Sequence, residues 1–204
     1  MGPFNSTVKR PLCLRRDFTP SLSTVRLKEE FARLPHCETT FVGFDWKVQQ
    51  GVFDGRLIVE RAGTHTAGHL SVGGEAGQMS DVYASPGDPL FYLHHASIDH
   101  EWWKWQYADP EVRLLEATGP ALKGYMPFGN LTGGTNITLD FEIGLNEEAP
   151  MVPLSKIMDT HGDLLCYTYA KEKAVYVPET GEWVAEELTE YDEDLGRFCG
   201  GSGN

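Results

Sequence analysis

No stretch of this 204-residue chain stays apolar long enough to span a bilayer, which excludes a membrane-spanning helix within these residues. Basic residues are scarce: 17 Lys and Arg stand against 30 Asp and Glu, a net charge of -13, which speaks against nucleic acid or an anionic membrane as the main partner. The first residues lack the basic-then-apolar design of a signal peptide. The four cysteines, Cys13, Cys37, Cys166 and Cys199, form no Cys-x-x-Cys pair, which removes the usual signature of a thiol-redox or cysteine–zinc site. They allow two disulfides in three connectivities, and four buried free thiols are the alternative. There is no internal repeat.

Histidine, by contrast, is concentrated. Five of the seven fall within residues 65–100. His65-Thr-Ala-Gly-His69 places two imidazoles four residues apart, on one face of a helix. Asp88-Pro-Leu-Phe-Tyr-Leu-His94-His95 opens a second predicted helix over 88–107, with Asp88 as N-cap and Pro89 at the first helical position. Phe91, His95, Ile98, Trp102 and Trp105 share one face of that helix, whereas His94 falls on another face with Ser97, Glu101 and Lys104. His95 is therefore read as pointing inward, and His94 as a hydrogen-bonding residue at the margin. Three neutral imidazoles from two rigid elements suit copper or zinc. A catalytic pairing of Asp88 with Asp99 is explained better by capping and helix anchoring.

Elsewhere, 1–20 reads as an extended lead-in and Ser21–Leu34 as a helix capped by Ser21. Residues 41–61 read as mixed, 73–77 as a glycine-rich break, 129–145 as loop and 164–177 as strand. Residues 178–204 form an acidic, Gly-ended tail, read as solvated. Three glycosylation sequons begin at Asn5, Asn130 and Asn136; with the cysteines they point to a secreted protein whose N-terminal sequence has been lost.

The string His65-x3-His69, Gly73-Gly74, Ser85-Pro-Gly-Asp-Pro-Leu-Phe-Tyr-Leu-His94-His95-x3-Asp99 and Trp102-x2-Trp105-Gln106 resembles the second copper-binding (CuB) half of tyrosinases and catechol oxidases, the type-3 copper proteins. Cys13-Leu-Arg-Arg-Asp-Phe, Met158-Asp-Thr and Leu165-Cys-Tyr-Thr-Tyr resemble short secreted fungal members. The resemblance implies a mainly α-helical fold, here part of a four-helix bundle with loops and a few short C-terminal strands. It implies copper held by His65, His69 and His95, with Asp99 orienting the site or locking its helix and Phe91 walling it. Residues 1–177 would be the CuB part of a copper-binding domain whose first copper site is absent.

The family's reaction needs two coppers, each giving one electron to dioxygen; the oxidised pair then takes two electrons from an o-diphenol, giving an o-quinone. His36, His94, His100 and His161 do not have the spacing of a first site, so one copper is expected from this chain, along with a missing N-terminal half or partner chain. An uncovered apolar face is expected around Phe91, Ile98 and Trp102. Thr66 stands where many monophenol-hydroxylating members have Asn, which favours diphenol oxidation. His100 stands where the family often has Arg. Two other readings compete: a non-catalytic single-copper or scaffold protein, and a mononuclear zinc hydrolase, the latter weakened by the absence of His-Glu-x-x-His.

Overall fold

A computed structural model of the chain describes residues 13–50, 52–53, 56–57, 61–119, 136–144, 150–162, 164–169, 172–187 and 199. The chain is mainly helical, as expected. In order come α1 (Pro20–Arg26), α2 (Glu29–Arg33), a 3-10 turn (Leu34–Cys37), α3 (Phe41–Gln49), the short strands β1 (Val52–Phe53) and β2 (Arg56–Leu57), α4 (Thr64–Gly73), α5 (Pro89–Tyr107) and α6 (Pro110–Arg113). Two further pairs, β3 (Glu142–Ile143) with β4 (Val152–Pro153) and β5 (Glu172–Val177) with β6 (Glu182–Glu187), complete three two-stranded antiparallel sheets. The last pair crosses position 177, so the expected tail opens inside a hairpin.

The site is positioned by α3, α4 and α5. The N-cap of α5 is as read: the Asp88 carboxylate accepts from the Leu90 N–H at 2.9 Å, and Pro89 follows at the position whose N–H has no intrahelical partner. Asp88 is fully buried and is met by a two-point ion pair from the Arg16 guanidinium at 2.8 and 2.9 Å. That pair ties the lead-in to α5. Asp17 and Thr19 donate backbone N–H bonds to Val72 and Ser71 at the end of α4, so residues 13–19 are a strap across two helices. α4 stops at Gly74, whose φ of +50° is strained for any side chain bearing a Cβ. Phe44, Val48 and Trp105 form the buried core between α3 and α5, with Phe41, Ile98 and Trp102 packed against it. The Trp105 indole N–H reaches the Glu38 carbonyl at 2.7 Å.

Several local readings are corrected. The helix expected over 21–34 is two short helices, because the chain opens at Leu27–Lys28; Ser21 lies inside α1, Thr19 holds the cap position, and Pro20 starts the helix. Residues 164–169 are not strand: Tyr167 and Tyr169 reach back to α5 by their hydroxyls, and the strand begins at Glu172. One disulfide is present, Cys37–Cys199, and Cys13 and Cys166 are exposed free thiols. Phe91, Ile98 and Trp102 are half-buried. Exposed apolar side chains are spread over the described residues, among them Tyr92 and Leu93 on α5 and Val42 and Trp46 on α3. Asn136 is exposed, whereas Asn5 and Asn130 lie outside the described residues. No helix among the described residues is long and apolar enough to cross a membrane.

Candidate metal centre

The structure brings four imidazoles together where α4 crosses α5. Ring centroids of His65, His69 and His95 are 4.9, 5.0 and 5.3 Å apart. His94 joins them, 5.0 Å from His69 and stacked on His65 at 5.6 Å. The crossing is close because α4 carries glycine at position 68: a Cβ there would sit 2.2 Å from the His94 ring.

Three of the four rings have a fixed proton. The His65 Nδ1–H donates to Gln49 Oε1 at 2.7 Å, so its Nε2 carries the lone pair. That Nε2 is buried and has no hydrogen-bond partner. The His69 Nδ1–H donates to the Met79 carbonyl at 2.7 Å, which leaves its Nε2 as an acceptor too. That nitrogen lies 3.2 Å from His95 Nε2. Nitrogens each about 2.0–2.1 Å from a shared ion at a near-tetrahedral angle are separated by roughly this much. The His94 Nε2–H donates to the His65 carbonyl at 2.9 Å, leaving Nδ1 free. One ring nitrogen from each of His65, His69 and His94 lies within 4.8 Å of the other two. Nδ1 hydrogen bonds to a carbonyl or amide oxygen are the usual way a metal-ligating imidazole is oriented.

The electrostatics suit a cation. Burial, reinforced by His69, His94 and His95, pushes the His65 pKa down from 6.5 to about 3. Burial likewise pushes His94 down to about 4 and lowers His69 and His95. The His65 and His94 rings are thus neutral donors well below pH 7, and His69 and His95 are shifted the same way, toward the form a metal requires. An orphaned buried Nε2 beside two Nε2 atoms facing each other is a donor set that fits a metal ion.

Phe91 lies against His95, with ring centroids 4.1 Å apart, and against His69 at 5.8 Å, where a wall was expected. Asp99 sits one turn beyond His95 and accepts from the Tyr167 hydroxyl at 2.6 Å and from the Tyr169 hydroxyl. It locks the C-terminal segment onto α5. A cleft of about 290 Å³ opens beside the histidines, lined among others by Gln49, Thr66, Met79 and Phe91. A larger groove of about 440 Å³ runs between α3 and α5 past Phe41, Asp45, Ile98 and Trp102.

Sequence reasoning did not single out Gln49, the Met79 carbonyl, Gly68 or Arg16, and it set His94 apart. A glycine between two candidate ligands on one helix was the available signal for His94, since it marks a close approach.

Residues 2–108, which include all four of these histidines, match the family model described as the common central domain of tyrosinase. The chain belongs to the tyrosinase family. Tyrosinase ustQ of Aspergillus flavus is 40% identical over 105 residues, 52% of this chain and 26% of that protein. N-acetyl-6-hydroxytryptophan oxidase ivoB of Emericella nidulans is 30% identical over 171 residues, 82% of this chain and 44% of the relative. The solved structure of a polyphenol oxidase variant from Thermothelomyces thermophila superposes with a TM-score of 0.61 at 23% identity, covering 83% of this chain and 44% of that one, so the two share a fold. This tyrosinase-family chain therefore spans less than half the length of these relatives.

Proposed function

We propose that this chain carries one copper site of a tyrosinase-type oxidase that uses dioxygen to convert o-diphenols to o-quinones. The observation that carries the reading is the convergence of the His65, His69 and His95 rings, with the tautomers of His65 and His69 fixed by bonds at Nδ1 and the buried Nε2 of His65 left without a partner. Three imidazole nitrogens suit copper, and the family supplies the preference for it over zinc. Copper, when bound, would supply one of the two electrons that dioxygen reduction needs at a paired site.

The chain's own residues have distinct parts in this reading. Gln49 and the Met79 carbonyl hold the His65 and His69 rings in orientation, and His94 braces the α4 backbone at His65. Phe91 keeps water from one side of the site. Asp99 fixes the C-terminal segment against α5. The 290 Å³ cleft has room for a single aromatic ring. The Thr66 hydroxyl donates to the Gln49 carbonyl at 2.6 Å, so it is committed to the end of α3, which supports diphenol oxidation over phenol hydroxylation.

Residues 1–177 are read as the second-copper part, and the α3–α5 groove lined by Phe41, His95, Ile98 and Trp102 as the surface that the first-copper part covers. The Cys37–Cys199 disulfide supports a secretory compartment. Copper titration followed by an oxygen-dependent quinone assay tests the reading, on this chain alone and on a longer form carrying three further histidines. Quinone from the longer form is expected, and its absence would overturn the assignment. A second reading is a one-copper protein without oxidase activity, with the metal held by the group that includes His65, His69 and His94. One copper per chain and no quinone from any longer form would select it.

A further inference from the structure

Along the side of α5 away from the histidine cluster, oxidisable rings form a continuous row. Tyr169, Trp103 and Tyr107 follow one another with ring centroids 5.5 and 5.1 Å apart, and exposed His161 stands 4.8 Å beyond Tyr107. At the inner end, the Tyr169 hydroxyl donates to Asp99, which lines the same groove as His95. At the outer end, the Tyr107 hydroxyl donates to Asp159 Oδ1 at 2.6 Å, and His161 Nδ1 lies 2.7 Å from it.

These partners matter chemically. A phenol gives up an electron readily only when its proton can leave in the same event, and both tyrosines already donate to a carboxylate. Trp103 is the opposite case: its indole N–H is buried and has no partner. An oxidised Trp103 therefore keeps its proton, remains a strong oxidant and takes an electron from the neighbouring tyrosine. Two proton-coupled ends joined by a ring that cannot trap the charge make a conductor.

We propose that Tyr169, Trp103 and Tyr107 form a one-electron relay that carries an oxidising equivalent from the Asp99 side of the histidine cluster to the Tyr107–Asp159–His161 group at the surface. The relay's use rests on reading the cluster as an oxidase metal site; the path itself does not. A one-electron oxidant at the cluster takes an electron from Tyr169, whose proton passes to Asp99. An electron then moves from Trp103 to Tyr169, which recovers its proton, and another moves from Tyr107 to Trp103. The Tyr107 O–H bond breaks, its proton goes to Asp159, and a neutral phenoxyl radical is left. A soluble donor of the ascorbate class returns one electron, and Asp159 returns the proton. In sum, the donor is oxidised by one electron and the oxidant reduced by one. The row offers a way to discharge a stray oxidant before it attacks the histidines.

The test uses the full chain in two arms, with a nitroso spin trap and peptide mapping by mass spectrometry. In the metal-free arm, photogenerated tris(bipyridine)ruthenium(III) is the oxidant. Adducts are expected on Tyr107 in preference to Tyr92 and Tyr83, which are 63% and 45% exposed. Adducts that instead follow exposure overturn the relay, whatever copper does. In the second arm, copper-loaded chain is treated with hydrogen peroxide. The Tyr107 adduct is expected to be lost in Trp103→Phe while those on Tyr167 and Tyr169 persist, and an unchanged Tyr107 adduct overturns the path. A chain that fails to retain copper counts against the metal-site reading, and the first arm still decides the relay.

Discussion

At the scale of single residues, protonation and ligand identity are separable. His65, His69, His94 and His95 all have folded pKa values below 6.5, chiefly because burial penalises the charged ring. Below pH 6.5 the unfolded chain binds protons that the folded chain does not, so acidification favours unfolding. Their stabilising contribution is complete above 6.5 and is lost progressively as pH falls toward about 4 for His94 and about 3 for His65. Asp88, Asp159 and Glu101, whose values are lowered by hydrogen bonds to Arg16, Tyr107 and His36, add losses only below their ordinary values of 3.8, 3.8 and 4.5. A urea midpoint of the metal-free chain that falls between about pH 7.5 and 5 is therefore assigned to the histidines, and a flat profile there would remove the assignment. The third ligand is a second question at this scale. With His95 as ligand and His94 as brace, His94→Ala should weaken copper binding by about 10–100-fold, the usual effect of losing a supporting bond. His95→Ala should weaken it further. The reverse order in a competition titration would make His94 the ligand.

At the scale of elements, the helix pair depends on a glycine and a cap. Replacing Gly by Ala inside a helix ordinarily gains about 0.5–1 kcal/mol. Gly68→Ala should invert that sign, because the added carbon would lie 2.2 Å from the His94 ring and force α4 off α5. A lowered Tm together with weakened copper binding is expected, and a raised Tm would show that the crossing is looser than described. Asp88→Ala removes both the cap and the partner of Arg16, whereas Asp88→Asn keeps an acceptor for the Leu90 N–H. Loss of an N-cap costs about 1 kcal/mol, so the Ala variant should melt below the Asn variant, and equal melting would mean the cap contributes nothing. This end of α5 was legible in the sequence because Asp88-Pro89 states its chemistry locally. The site was legible as far as His65, His69 and His95 converging, since helical spacing alone brings them to facing sides. His94 was read as a hydrogen-bonding residue at the margin, and it does bond the His65 carbonyl; its place inside the cluster was missed because helix-face reasoning treats a partner helix as touching one face. With glycine at position 68, α4 comes close enough to touch two. The break at Leu27–Lys28 and the reach of Tyr167 and Tyr169 to Asp99 depend on tertiary contacts that no local pattern encodes.

At the scale of the whole molecule, the described surface is unbalanced. Val42 and Trp46, one turn apart on α3, are each 50% exposed, and Tyr92 and Leu93 on α5 are 63% and 68% exposed. They stand on the two helices that form the α3–α5 groove, whose own lining includes Phe41, Phe44, Ile98 and Trp102. Single apolar side chains need no explanation, but an open apolar groove between two helices that also expose large side chains leaves area that water penalises, at about 25 cal/mol per Å² left uncovered. The net charge of -13 opposes association in general, so association that does occur is expected to be driven by burial of apolar area. The isolated chain should then show concentration-dependent association in sedimentation velocity, and weakly salt-dependent association, because burial of apolar area rather than ion pairing supplies the drive. Leu93→Glu and Trp46→Glu lie on exposed positions outside the histidine cluster and should restore a monomer without lowering Tm. A wild-type chain that stays monomeric throughout the concentration range of the copper titration would show that this face needs no cover. The reading of the groove as the seat of a further helix pair would fall with it, while the convergence of the histidines, which rests on the α4–α5 crossing, would be untouched.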